Sequence, residues 1–98
     1  MQSLSEVLEY TMWRHGERQT RKMRKQVMDA VRQIAQSPYM AAVEPYSENV
    51  GVTLRGYLVI PRIKVIYSVA DEVVYIEYIK NTFMSERTML DRMGYFFE

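Results

Sequence analysis

Apolar positions in this chain follow a helical period in its first third and a strand period in its second half. Leu4, Val7, Leu8, Thr11 and Met12 recur at helical spacing, as do Met23, Val27, Ala30, Val31 and Ile34 further on. From Gly56 to Lys80 the chain is dense in Val, Ile and Tyr, residues that suit a pleated, half-buried surface. Pro61-Arg62 and Ala70-Asp71-Glu72 interrupt that run, because proline cannot donate to a ladder and the acidic pair marks a turn. The pattern predicts three consecutive antiparallel strands, at about 57–60, 63–69 and 73–80.

A strand register follows from the turns. Pairing Ile60 with Ile63 places Leu58 opposite Val65 and Val59 opposite Lys64. Pairing Ala70 with Val73, or closing a longer loop on Val69 and Val74, places Tyr67 opposite Ile76 and Ile66 opposite Glu77. One face then reads Leu58, Ile60, Ile63, Val65, Tyr67, Val69, Val74, Ile76 and Tyr78, a core face. The other reads Tyr57, Val59, Lys64, Ile66, Ser68, Tyr75, Glu77 and Ile79, a mixed face. The mixed face is either a binding surface or a solvated sheet face with incidental apolar residues, in which Lys64 and Glu77 form a weak exposed pair.

Ahead of the strands, Ser3-Leu4-Ser5-Glu6 has the capping-box pattern of a helix start. This helix is expected to run to about Trp13 and to end near His15-Gly16, where glycine offers a left-handed exit. Trp13 is read as a core or helix–helix contact, and His15 as an exposed turn residue. A second helix is expected from about Glu17 to Gln36, about 30 Å long at 1.5 Å per residue, enough to cross the sheet. Ser37-Pro38 ends it. Tyr39 to Thr53 is a connector, long for a small domain and therefore functional or partly mobile. Ser85 is placed to cap a short last helix containing Met89 and Leu90, with Gly94 closing it. The tail Tyr95-Phe96-Phe97-Glu98 is apolar enough to need a partner, on this chain or another. The fold class expected is α+β: two N-terminal helices packed on a three-stranded antiparallel sheet with a short C-terminal helix, a single domain over residues 1–98.

Composition narrows the chemistry. A hydrophobic content of 48% over 98 residues fits a folded domain rather than a disordered one. The absence of cysteine excludes disulfides and thiolate metal sites, and a single histidine argues against a His-rich metal site or a Ser-His-Asp triad within one chain. No cofactor and no metal are expected. No apolar run approaches the length of a membrane span, and no secretory leader pattern is present, so a cytoplasmic protein without membrane association is expected. The net charge of +1 makes no overall case for nucleic acid. The charges are uneven, however: Arg14, Arg18, Arg21, Lys22, Arg24 and Lys25 put six of the thirteen basic residues within one short stretch. That stretch is either a solvated helix face or one that attracts an acidic partner or a phosphate backbone.

Gly56-Tyr57-Leu58-Val59-Ile60, followed by Arg62-Ile63-Lys64-Val65-Ile66-Tyr67-Ser68-Val69, resembles the central strand pair of the RelE/ParE toxin superfamily of bacterial type II toxin–antitoxin systems. Val73 to Ile79 is similar to that family's last strand, and Gln36-Ser37-Pro38 to its proline-containing helix end. The resemblance covers about 80 residues, from Ser5 to Glu86, and consists mainly of apolar patterning. It implies a toxin-type, plasmid-stabilisation module with a cognate antitoxin as partner. Two departures qualify what is carried over. The family opens with a β-strand, whereas only Met1 and Gln2 precede Ser3 here; an edge left unpaired implies a homodimer through the sheet edge or the C-terminal tail, or a strand supplied by the antitoxin. The ribosome-dependent RNases of the family use several sheet-face cations. Here Lys64 matches the strand arginine, Leu58 and Ile60 stand where lysines would precede it, and Asn81-Thr82-Phe83 replaces a basic segment. The resemblance leaves Lys64, Tyr75, Arg62, Lys80 and Arg87 as nuclease candidates, with Lys64 positioning phosphate and Tyr75 stacking or moving a proton. It favours the ParE-like branch, which binds a protein target, DNA gyrase, over the RelE-like branch that cleaves mRNA at the ribosome. A non-toxic binding or assembly module is the further alternative. In each case the expected partner-binding residues are Tyr57, Lys64, Tyr75 and Glu77.

Overall fold

The computed structural model describes the backbone of residues 2–95 and the side chains of residues 4–95. Its elements are α1 (Gln2–Gln36), α2 (Ser47–Val50), β1 (Arg55–Ile60), β2 (Ile63–Ala70), β3 (Val73–Asn81) and α3 (Glu86–Arg92). The strands form one antiparallel sheet in the order β1-β2-β3. This is the α+β architecture expected from the sequence, with one added helical turn, α2, inside the connector. The capping role of Ser3 and the tail residues Phe96–Glu98 lie outside the described residues.

Both expected N-terminal helices are present as the two arms of α1, which breaks at Gly16. That residue has φ 83° and ψ −178°, a conformation open essentially to glycine alone. The Thr20 hydroxyl donates to the Gly16 carbonyl at 2.8 Å and secures the start of the second arm. Met23, Val27, Ala30 and Ile34 of that arm are buried, as the helical spacing predicts. Trp13 differs from expectation: it is 77% exposed rather than packed. The inward side of the first arm is set by Leu4, Val7 and Thr11. Trp13 lies two residues beyond Thr11, about 200° around the helix, and so points away.

Two cores flank the sheet. Met23, Val27 and Ile34 pack on Ile63, Val65, Tyr67 and Ile79. On the opposite face Tyr46, Leu54, Ile66, Tyr78, Met89 and Leu90 form a second cluster, covered by the connector and α3. The mixed face is therefore largely closed rather than open. Each buried aliphatic side chain in these clusters contributes roughly 1.5–3 kcal/mol before chain entropy is set against it.

The turn pairings hold, Ile60 with Ile63 and Ala70 with Val73, but each strand pair carries a bulge that shifts the remainder of its register. In β1 the irregularity at Val59 sets Leu58 opposite Lys64 and Tyr57 opposite Val65. Tyr57 thereby joins the α1-side core, and Leu58 moves to the other face, where it is 55% exposed. The shift puts Gly56 on the same face as Lys64, at the place where the Glu44 side chain crosses the sheet. In β3 the extra residue is Glu77, so that Ile66 faces Tyr78 and Val65 faces Ile79. Without that bulge Glu77 would oppose Ile66 in the second core and Lys80 would oppose Ile63 in the first, both costly burials of charge.

The connector is pinned to the sheet. Glu44 N–H donates to the Leu54 carbonyl at 2.7 Å and Gly56 N–H to the Ala42 carbonyl at 3.2 Å. Ser47 Oγ both donates to the Leu54 carbonyl and accepts from its amide. Tyr67 donates its hydroxyl to the Pro38 carbonyl at 2.7 Å, which fixes the end of α1. In α3, Ser85 caps as expected, its oxygen accepting from the Thr88 amide, and Met89 and Leu90 are buried.

Candidate functional site

The polar centre of the second sheet face is built from three elements. Lys64 on β2 extends over Gly56 on β1 and donates to Glu44 of the connector at 2.9 Å. Glu44 keeps only 11% of its side-chain exposure and Lys64 29%, so the pair is mostly desolvated. Gly56 is what admits it: a Cβ there would collide with the Glu44 carboxylate and come within 2.9 Å of Lys64 Cδ. Lys80 stands directly opposite Lys64 on β3 and is only 8% exposed. It has no salt bridge among the described residues. Like charges directly opposite disfavour each other, and the pairing of Lys64 with Glu44 lessens that repulsion.

The remaining sequence-predicted residues are dispersed. Arg62 lies on the β1–β2 turn, where its guanidinium meets the ring Nε2 of His15 at 3.2 Å. Tyr75 is opposite Ser68, four residues along β2 from Lys64, or roughly 13 Å at 3.3 Å per residue. It is 50% exposed. Arg87 is exposed on α3, beside a small groove with Tyr46, Asn49 and Glu86. Of the expected partner-binding set, Lys64 and Tyr75 share a face, whereas Tyr57 lies on the α1 side of the sheet. Glu77 does not meet Lys64; it accepts from the Ser68 hydroxyl at 2.7 Å. The expected Lys64–Glu77 neighbourhood is thus replaced by Lys64–Glu44, because the β3 bulge moves Glu77 along the strand. Lys64 and Lys80 are register partners on adjacent strands, Arg62 lies near their end of the sheet, and Tyr75 and Arg87 stand apart.

Three residues escaped the sequence reading: Glu44, Tyr46 and Gly56 as a functional position. A glycine inside a strand pattern signals close approach by another group, and that signal was available at Gly56. Nothing local marks Glu44 as its occupant. The Tyr46 hydroxyl is buried without a hydrogen-bond partner among the described residues. Burial, then Glu44, then Glu86, push its pKa well above the ordinary tyrosine value.

A separate apolar groove of about 240 Å³ lies between the first arm of α1, the end of β3 and α3, lined by Val7, Tyr10, Met23, Ile79 and Met84 among others. Arg92 spans its rim, donating to Glu6 at 3.0 Å and to the Tyr78 hydroxyl at 3.4 Å. Among the described residues no group of three or more His, Cys, Asp or Glu side chains is placed to hold a metal ion. No helix among them is long and apolar enough to cross a membrane. Comparison of the chain with protein-family models, with curated proteins and with solved structures gives no match in any of the three.

The chemistry available to this arrangement is restricted. Lys64 is neutralised by Glu44, so it offers less positive potential to a phosphate than a free lysine on an open face. Tyr75 stands too far along the sheet to share a reacting atom with it, since an acid–base group must come within hydrogen-bond reach of the proton it moves. Large apolar and aromatic side chains exposed on this face include Leu58 and Tyr75.

Proposed function

We propose that this chain is a RelE/ParE-like toxin module that acts by binding a protein target, with DNA gyrase the target implied for that branch, and that a cognate antitoxin covers it. The observation that carries the proposal is the Glu44–Lys64 pair seated on Gly56. It commits the main nuclease candidate to an internal partner, while Tyr75, Arg62 and Arg87 lie on separate parts of the fold. Transition-state stabilisation of a transferring phosphate needs converging, preorganised donors. Contact with a protein needs exposed aromatic and aliphatic anchors, which Tyr75 and Leu58 supply. The order of elements also supports the family reading: paired helices, connector, antiparallel strand triplet and short last helix.

Inducing the chain in a bacterial host tests this. The expected result is growth arrest with altered plasmid supercoiling. Tyr75→Ala relieves the arrest and Lys25→Ala does not. Unchanged growth on induction would leave the non-toxic binding module as the reading. The RelE-like alternative, mRNA cleavage at the ribosome, has in its favour that Lys64, Lys80 and Arg62 lie toward one end of the sheet; it predicts cut transcripts in the same cultures.

A further inference from the structure

α1 carries a second surface, apart from the second face of the sheet. A polar groove of about 220 Å³ runs between α1 and the β1–β2 turn, lined by Thr11, Gln19, Lys22, Gln26, Ile60 and Arg62 with Met23 at its base. Its wall contains two cations and two amides and no carboxylate. Arg62 is held there by the His15 ring rather than by an acid. From the groove outward, Arg18, Arg21, Lys22 and Lys25 recur at i, i+3, i+4 and i+7, which places them on one face of the second arm, and all four are exposed. Only Arg21 among them has a salt bridge with a described residue, an exposed one to Glu17 at 3.1 Å. Six basic residues and one acidic residue lie between 14 and 25, a net +5 in a chain whose total is +1. The acidic residues are therefore gathered elsewhere. Just ahead of the kink Trp13 stands out from the surface, with the Arg14 guanidinium 5.7 Å from its ring centroid and the Tyr10 ring 6.5 Å away.

We propose that this ridge and groove bind single-stranded nucleic acid. Lys22 and Arg62 take a phosphate in the groove, Arg18, Arg21 and Lys25 follow the backbone out of it, and Trp13, turned away from the groove on the first arm, stacks an unpaired base further along the strand. A wall of donors without carboxylates matches phosphate oxygens and base acceptors, and an exposed indole beside a cationic run is the pairing from which sequence-tolerant single-strand sites are built. An acidic protein segment would satisfy the cations but would leave the indole without the flat partner it presents. The inference is independent of the toxin reading and of every residue on the second sheet face.

The test is fluorescence anisotropy of the full chain with labelled single strands of about 12 nucleotides, within the span of known single-strand sites. Oligo-uridine and oligo-deoxyuridine are compared with a duplex and with a Glu/Asp-rich peptide, at salt from about 50 to 200 mM. Either single strand is expected to bind more tightly than the duplex or the peptide, and their ratio assigns the sugar preference. Trp13→Ala should weaken binding by about 5- to 150-fold, the range for loss of one stacked base. Each of Arg18→Gln and Lys25→Gln should flatten the slope of log affinity against log salt by about 0.7. Trp13 is the chain's one tryptophan, so its fluorescence should be quenched on binding. Absence of single-strand binding at the lowest salt would overturn the proposal. So would equal affinity for duplex with no effect of Trp13→Ala, or tighter binding of the acidic peptide.

Discussion

Gly56 and Glu44 show how one side-chain choice shapes the second face of the sheet. A methyl group at 56 would occupy the space of the Glu44 carboxylate. Gly56→Ala is therefore expected to destabilise the fold by about 1–3 kcal/mol, the usual cost of overpacking, seen as a lower urea midpoint at unchanged slope. Lys64→Ala leaves Glu44 mostly buried without its charge partner, and should cost about 2–3 kcal/mol, whereas Lys25→Ala on the exposed ridge should be nearly neutral. Loss of function in Lys64→Ala alone would therefore report stability as much as contact, which is why Tyr75 is the better probe of the partner surface. Tyr46 gives a pH signature. Its raised pKa keeps it protonated in the folded chain where the unfolded chain ionises, near its ordinary value of 10.0. Above that pH the unfolded state binds fewer protons, so stability falls, by at most about 1.4 kcal/mol per pH unit. Tyr46→Phe should remove this alkaline loss and, by deleting an unpaired buried hydroxyl, leave stability at neutral pH unchanged or raised by about 1 kcal/mol. Urea unfolding of both proteins at neutral and alkaline pH checks both statements.

At the scale of elements the backbone turns on a few positions. Gly16 has open space where a Cβ would sit, so the cost of Gly16→Ala is purely conformational. About 1–3 kcal/mol is expected for a non-glycine residue held in that region, readable as a lower melting temperature by circular dichroism. Asp71 and Glu72 both adopt positive φ, 51° and 65°, in the β2–β3 turn. That is the geometry of a two-residue hairpin that favours Asn-Gly, and replacing the pair by Asn-Gly should stabilise the chain by about 1 kcal/mol. These elements also show what the sequence could convey. The Gly16 break, the turn pairings, the buried stripe of α1 and the Ser85 cap follow from local chemistry, and each is visible in residue type and spacing. The bulges at Val59 and Glu77 are not. Each is decided by long-range packing: one makes room for Glu44 over Gly56, and the other keeps Glu77 and Lys80 out of two separate cores. Because side-chain direction alternates along a strand, one extra residue moved Tyr57, Leu58, Tyr78 and Ile79 to the faces opposite those expected. The candidate site changed with them, from an open mixed face to a closed ion pair. Trp13 was misplaced for a related reason, since its helical phase is set by which neighbours turn inward.

Across the whole molecule, two faces of the sheet are covered by different parts of the chain, α1 on one side and the connector with α3 on the other. Among the described residues the covered second face holds the Glu44–Lys64 pair, while Arg18, Lys22 and Lys25, which make no salt bridge with a described residue, lie exposed on α1 with Trp13. On this account the second sheet face makes contacts and does not cleave. The direct test is primer extension on host transcripts within minutes of inducing the chain at the onset of growth arrest. Intact transcripts accompanied by altered plasmid supercoiling are the predicted result. Transcripts cut early, in a manner abolished by a conservative Lys64→Met substitution in folded protein, would contradict it.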